Sequence, residues 1–160
     1  MNSKTLLAAL PLALLTGALA SAIIFFPDSK DIRPRASDPA TFNPSPTLKK
    51  VCQQLLEYLQ GKRKEFTVKI ALEGTAFQKK VWEAIQHIPY GETCSYKDIA
   101  IAIGNPKAAI AIGQAARKNP VAIIIPCHRV IGANGDLKGY AGRIEIKEWL
   151  LNLEKGNKGK

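Results

Sequence analysis

The stretch VAIIIPCHRV, residues 121–130, carries the most information in this chain. Its first half is a continuous apolar run, which predicts a buried strand or an extended core segment that leads through Pro126 to Cys127. A cysteine beside a core run is most often a small buried hydrophobe. Here His128 places a base next to the thiol and Arg129 adds a fixed positive charge, and cationic neighbours lower a thiol pKa toward the reactive thiolate. The pattern therefore favours a nucleophilic cysteine at position 127.

A Cys-His pair serves hydrolases, redox sensors and transferases alike, so the pair does not fix the reaction. A carboxylate could orient the imidazole, and the helix predicted at the end of the chain offers three of them: Glu145, Glu148 and Glu154. Their spacing alone does not choose one.

The chain before residue 121 predicts three helices, over residues 75–88, 95–104 and 107–118. Thr75 and Gln78 form a capping-box pair at the start of the first helix, which then has one apolar face. The second and third helices flank a Gly-Asn-Pro turn, as in a helix-turn-helix. The third helix is rich in alanine and glycine, so its backbone could approach either DNA or a neighbouring helix closely.

The sequence of residues 1–70 gives fewer indications of structure. The segment 5–26 contains no charged residue, and on its own it fits a signal peptide, a membrane anchor or a buried hairpin. Residues 27–47 contain five prolines and predict a loop or linker. A helix is predicted over residues 48–59, and a short strand over residues 66–70.

Composition limits the class of protein. The chain has 160 residues, 46% hydrophobic and 22% charged, as expected for one globular domain or a domain with a small appendage. Lysine and arginine number 23 against 13 acidic residues, and most of the +10 net charge lies in residues 61–160. This balance fits an anionic partner such as nucleic acid, or simply a soluble basic surface. Three cysteines without C-x-x-C spacing argue against a disulfide scaffold and a structural zinc site, and indicate a reducing compartment.

Several motifs in the right order resemble the O6-alkylguanine-DNA alkyltransferase family, the methylated-DNA–protein-cysteine methyltransferases. In chain order these motifs are GNPK at 104–107, KNP at 118–120, PCHRV at 126–130, GY at 139–140 and EWLL at 148–151. The resemblance covers residues 74–155. It implies an α/β (α+β) fold with a mainly helical C-terminal domain, residues 71–160, that carries a helix-turn-helix. Residues 1–70 would form a small N-terminal sheet resembling ribonuclease H, with a helix and the proline-rich loop.

The function that this resemblance implies is direct repair of double-stranded DNA containing O6-alkylguanine, with O4-alkylthymine as a further candidate substrate. The damaged base would rotate out of the stack, Cys127 would attack the alkyl carbon, and the protein would keep the group and act once. A water would link the thiol to His128, and Glu154 would hold the imidazole. The resemblance also implies a cytoplasmic monomer that needs no cofactor, no metal and no membrane.

The resemblance implies roles for further residues, at the positions that match the family's motifs. Asn119 would brace the active-site turn, and Tyr96 would crowd the phosphate and assist base extrusion, so both join the predicted catalytic set. The predicted substrate pocket comprises Val130, Ala133, Tyr140 and Ala141. The predicted DNA contacts are Tyr96, Lys97, Asn105, Lys107, Ile110, Arg117 and Arg129.

Three positions depart from the family pattern. Ile110 stands where most members carry the arginine that fills the gap left by the flipped base, and a hydrophobic wedge lacks its hydrogen bonds. Ala141 replaces the usual pocket serine, and Ala133 replaces a polar residue of some members. These changes leave open two alternatives, a damage-recognition protein with weak transfer and a Cys-His hydrolase on a similar scaffold. With the resemblance, residues 5–26 are expected to form paired strands of the N-terminal sheet.

Overall fold

The computed structural model describes residues 46–137 and 144–157. The chain divides between Leu56 and Glu57 into two units, and the second unit contains the site described below. Helix α1, Pro46–Leu59, confirms the helix predicted over residues 48–59. The predicted ribonuclease H-like sheet and the apolar segment 5–26 lie outside the described residues, and the predicted boundary at residue 70 stays a prediction.

Helix α2, Ala76–Gln86, begins where the capping box predicts. The Thr75 side chain accepts a hydrogen bond from the Gln78 backbone, and the Gln78 side chain accepts one from the Thr75 backbone. The apolar face of α2 is buried, and Trp82 on this face donates from Nε1 to the carbonyl of Ala115 at 2.8 Å. Trp82 is therefore a core residue that fixes α2 against a later helix.

Two short helices follow. Strand β1, Cys94–Ser95, leads into helix α3, Tyr96–Ala102, which has a second capping box, and helix α4 covers Ala109–Arg117. Gly104 begins the connection between α3 and α4 with a φ of +77°, a left-handed conformation that glycine adopts without steric cost. Helix α4 packs on both α2 and α3, and its small residues Ala115 and Ala116 are buried in that core. Close internal packing therefore accounts for Ala115 and Ala116, two of the five small residues of this helix.

The strand predicted from the apolar run 121–125 is wrong. These residues form a tight turn, closed by a hydrogen bond from the Ile125 backbone to the carbonyl of Val121 at 2.9 Å. Ile123 has a φ of +74°, a conformation that a β-branched residue rarely adopts. An apolar run gives the same hydropathy for a buried turn as for a buried strand, so the sequence could not separate them. The short strand predicted over residues 66–70 is also not formed.

After this turn come a 3-10 turn, Cys127–Arg129, and strand β2, Val130–Ile131. Strands β1 and β2 pair in parallel, with Cys94 opposite Val130. Helix α5, Ile144–Asn157, then packs on the 3-10 turn. Helices with a small parallel sheet confirm a mixed α/β class. Within the described ranges, every helix is too short or too polar to cross a membrane.

Candidate active site

Cys127 is held at the start of the 3-10 turn by the loop that precedes it. The Asn119 side chain stabilises this loop from inside, since Nδ2 donates to the carbonyl of Ile125 at 2.8 Å and Oδ1 accepts from the Val121 backbone at 2.9 Å. The Cys127 backbone in turn donates to the carbonyl of Ile125 at 2.8 Å. Asn119 therefore stabilises the turn that places the thiol.

The Cys127 thiol is buried, with 6% of the residue exposed. Burial raises the pKa of the thiol, while a hydrogen bond from Asn119 and the positive charge of Lys147 lower it only in part. The prediction that cationic neighbours would give the thiol a lowered pKa is wrong, because the effect of burial is larger than that of the positive charge. A thiol in such surroundings needs a base to remove its proton when it reacts.

His128 supplies a suitable base. The imidazole is fully buried, and burial lowers its pKa despite the opposing effect of Glu154, so it is neutral at pH 7. Its Nε2 lies 2.8 Å from Oε1 of Glu154. Because an ionised carboxylate only accepts hydrogen bonds, Nε2 carries the proton and Nδ1 carries a free lone pair. Nδ1 has no hydrogen-bond partner among the described residues.

Glu154 is the carboxylate that the structure brings to the histidine, whereas Glu145 and Glu148 are exposed. Burial alone would raise the pKa of Glu154, but hydrogen bonds from His128, Arg129 and Tyr58 lower it to about 2. The Gly91 backbone also donates to Oε2 at 2.9 Å. Glu154 is therefore ionised at neutral pH and fully saturated with donors.

Arg129 does not lie where a DNA contact was predicted. Its guanidinium donates to Glu154 from Nε at 2.9 Å and from Nη2 at 2.8 Å, and to the carbonyl of Ile88 from Nη1 at 2.6 Å. It also lies 5.6 Å from the centroid of the Tyr90 ring. Only 6% of the residue is exposed, so this arginine stabilises the buried carboxylate and is not available to a DNA phosphate.

Sequence reasoning missed two polar residues of this cluster. The Tyr58 hydroxyl donates to Oε1 of Glu154, and the fully buried Lys147 donates from Nζ to the carbonyl of Val130 at 2.6 Å. A signal for Lys147 existed, because it lies three and seven residues before Leu150 and Glu154, on one buried face of α5. No sequence pattern predicts the contact of Tyr58 with Glu154, since 96 residues separate the two.

The other predicted positions lie around this cluster or on the surface of α3 and α4. Tyr96 is half-buried, and burial and the neighbouring Cys127 raise the pKa of its phenol. Val130 is buried and Ala133 is exposed, while Tyr140 and Ala141 lie outside the described residues. The predicted DNA contacts with exposed side chains are Lys97, Asn105, Lys107, Ile110 and Arg117.

Comparisons with known proteins agree with this geometry. A family model described as 6-O-methylguanine DNA methyltransferase, DNA binding domain, matches residues 76–156. A methylated-DNA–protein-cysteine methyltransferase of Methanosarcina acetivorans is 61% identical over 102 residues, which are 64% of this chain and 65% of the relative. The constitutive methylated-DNA–protein-cysteine methyltransferase of Bacillus subtilis is 54% identical over 112 residues, 69% of this chain and 68% of the relative. The match thus spans about two thirds of each relative.

Solved structures give the same result. The crystal structure of Mycobacterium tuberculosis OGT in complex with DNA superposes with a TM-score of 0.69 at 49% identity, covering 76% of both chains. The O6-methylguanine-DNA methyltransferase of Pyrococcus kodakaraensis superposes with a TM-score of 0.59 at 32% identity, covering 70% of this chain and 64% of that one. From the family match, the identities and the structural likeness together, the chain belongs to the 6-O-methylguanine DNA methyltransferase family.

Proposed function

We propose that this protein repairs DNA by moving the alkyl group of O6-alkylguanine to the sulfur of Cys127. The observation that carries the proposal is the buried neutral His128, held at Nε2 by Glu154 and free at Nδ1, directly next to the cysteine. This is the arrangement of a base that is oriented by a carboxylate and activates a thiol.

The step balances as a substitution at the alkyl carbon. The S–C bond forms as the C–O6 bond breaks, and the electron pair of the broken bond stays on guanine. The thiol proton passes through one water to Nδ1 of His128, and the guanine anion takes up a proton from water as it leaves. The protonated imidazole then returns its proton to water, so the protons balance. Because burial raises the pKa of the Cys127 thiol, the sulfur depends on this base to lose its proton. The thioether product is stable, so each molecule reacts once.

We propose that α3 and α4 act as a helix-turn-helix that binds duplex DNA. Lys97, Lys107 and Arg117 are exposed on α3, its following turn and α4, and they would contact phosphates. Ile110 is 81% exposed on α4, which is rare for a large apolar side chain and suits a wedge that enters the base stack. The relative from M. tuberculosis crystallised with DNA supports this partner.

The damaged base would flip into a pocket beside Cys127. Tyr96 borders the thiol, and Val130 lies in β2 directly after the 3-10 turn. We propose that Ala133, Tyr140 and Ala141 complete this pocket. O4-alkylthymine would present the same alkyl carbon to the sulfur. The protein would work as a monomer in the cytoplasm.

A second candidate is damage recognition with weak transfer. The observation that favours it is Ile110, because an exposed isoleucine can unstack a base step but offers no hydrogen bond to the orphaned partner base. Slow flipping would then limit transfer, while binding to damaged DNA would persist.

Mass spectrometry of the intact protein after incubation with a duplex oligonucleotide containing O6-methylguanine tests the proposal. We expect the mass of one methyl group per protein molecule, located on Cys127. The Cys127→Ala variant should bind the same duplex and gain no methyl group. Methylation of that variant, or repeated turnover on an ester substrate by the native protein, would contradict the proposal.

A further inference from the structure

Tyr58 lies in the last turn of α1, outside the region that the family model matches. The residue is fully buried. Its ring stacks at a tilt on Phe66, with 5.4 Å between centroids, and meets Tyr90 edge-on at 5.9 Å. These ring contacts leave the hydroxyl one position, between Glu154 and His128.

The hydroxyl touches both members of the His–Glu pair. It donates to Oε1 of Glu154, the same oxygen that accepts from His128, and its own oxygen lies 3.3 Å from Nε2 of His128. Because the carboxylate only accepts, the direction of the Tyr58 hydrogen bond is fixed. Burial, followed by the negative charge of Glu154, raises the pKa of Tyr58 far above its usual range, so the phenol stays a donor at every working pH.

We propose that Tyr58 is a positioning residue for the reaction at Cys127: by donating to the same oxygen of Glu154 that accepts from Nε2 of His128, it sets how strongly the carboxylate acts on the imidazole. This inference rests on the proposed function only for the role of the histidine. Its structural part, control of the imidazole by a phenol from outside the matched domain, stands without any DNA chemistry.

The groups that face the imidazole determine whether loss of the Tyr58 hydroxyl raises or lowers the His128 pKa. Glu154 and Lys147 of α5, Arg129 of the 3-10 turn and Tyr58 of α1 act on it. The two cations lower the His128 pKa and Glu154 raises it. A donor on Oε1 draws charge away from the hydrogen bond to Nε2. Removing the Tyr58 hydroxyl should therefore strengthen the hydrogen bond between Glu154 and His128 and raise the His128 pKa.

The test is NMR titration of the imidazole nitrogens in Tyr58→Phe, with Tyr90→Phe as the matched control. Both variants lose one buried hydroxyl of the same ring cluster, but that of Tyr90 contacts neither Glu154 nor His128 among the described residues. The chain has two histidines, so His87→Gln assigns the signals. We expect the His128 titration in Tyr58→Phe to move up by about one pH unit, the size of one hydrogen bond to a charged group. Tyr90→Phe should leave it in place.

A second variant allows the same measurement if Tyr58→Phe does not fold. Site-specific 3-fluorotyrosine at position 58 preserves the ring and makes the phenol a stronger donor, so the His128 titration should move down. The acid limb of the transfer rate should move in the same direction as the titration in each variant. An unmoved titration in both Tyr58 variants, or an equal shift in Tyr90→Phe, would overturn the inference. A native protein that transfers no methyl group would instead refute the proposed function and leave the titration result standing.

Discussion

The Glu154 carboxylate stays ionised well below its ordinary pKa because His128, Arg129 and Tyr58 donate to it, and the histidine beside it is buried neutral. Both groups therefore bind protons more readily in the unfolded chain than in the folded one. The contribution of neutral His128 to the free energy of unfolding is fully present above about pH 6.5 and is lost as the pH falls below that value. Stability from Glu154 is complete above about pH 4.5 and is lost as the pH falls toward 2.

We predict a two-stage loss of the free energy of unfolding on acidification, first from the histidine and then from the carboxylate. Glu154→Gln should remove the second stage and destabilise the protein at pH 7 by about 3–5 kcal/mol, because Arg129 is then left buried without its counter-charge. Urea unfolding between pH 7 and pH 3 measures both effects. Glu148→Gln, an exposed change on the same helix, is the control and should match the native curve. Equal curves for the two variants would contradict the assignment.

At the scale of elements, the turn 121–125 positions the nucleophile although it has no regular structure. The Asn119 side chain makes two hydrogen bonds to the backbone of this turn, and it lowers the pKa of the Cys127 thiol. Asn119→Ala should cost about 1–3 kcal/mol, because it leaves the Val121 amide without its partner and removes one of the two donors to the carbonyl of Ile125. It should also raise the thiol pKa further. Urea unfolding and the pH dependence of iodoacetamide labelling at Cys127 measure the two effects, and Asn105→Ala, an exposed change, should produce neither.

Helix α4 offers a test of the wedge. Ile110→Arg should raise the rate of methyl transfer from duplex DNA, because a guanidinium can hydrogen-bond the orphaned base. Stability should stay within about 0.5 kcal/mol, since the side chain is mostly exposed. Single-turnover kinetics measures the rate. Ile146→Arg, at an isoleucine on α5 that is 49% exposed, is the control; a rise there, or none in Ile110→Arg, would show that flipping is not the limiting step.

How far the sequence predicts the structure differs between elements. Helices α2 and α3 begin where capping boxes at Thr75 and Ser95 predict, because those signals are local. For the turn at Ile123 the sequence predicts a buried strand or an extended core segment, since a left-handed backbone at a β-branched residue has no sequence signal. The contacts of Tyr58 with Glu154 and of Arg129 with Ile88 join distant segments, and only the folded chain reveals them.

At the scale of the whole molecule, the +10 net charge predicts DNA affinity that falls as salt rises. Lys107→Ala should reduce the slope of log affinity against log salt by about one, because it removes the phosphate contact that we propose for this side chain. Fluorescence anisotropy with labelled duplex DNA at several salt concentrations measures the slope. Lys79→Ala, an exposed change on α2 that removes the same charge, is the control. Equal slopes for the two variants would show that net charge, and not the α3–α4 surface, governs binding.

One carboxylate joins four stretches of the chain: the end of α1 through Tyr58, the loop after α2 through Gly91, the 3-10 turn through His128 and Arg129, and α5, which carries it. Loss of this carboxylate would therefore destabilise the fold as well as remove the partner of His128. Loss of the Glu154 side chain would remove contacts from all of these stretches at once, whereas loss of the Cys127 sulfur leaves each of these hydrogen bonds in place.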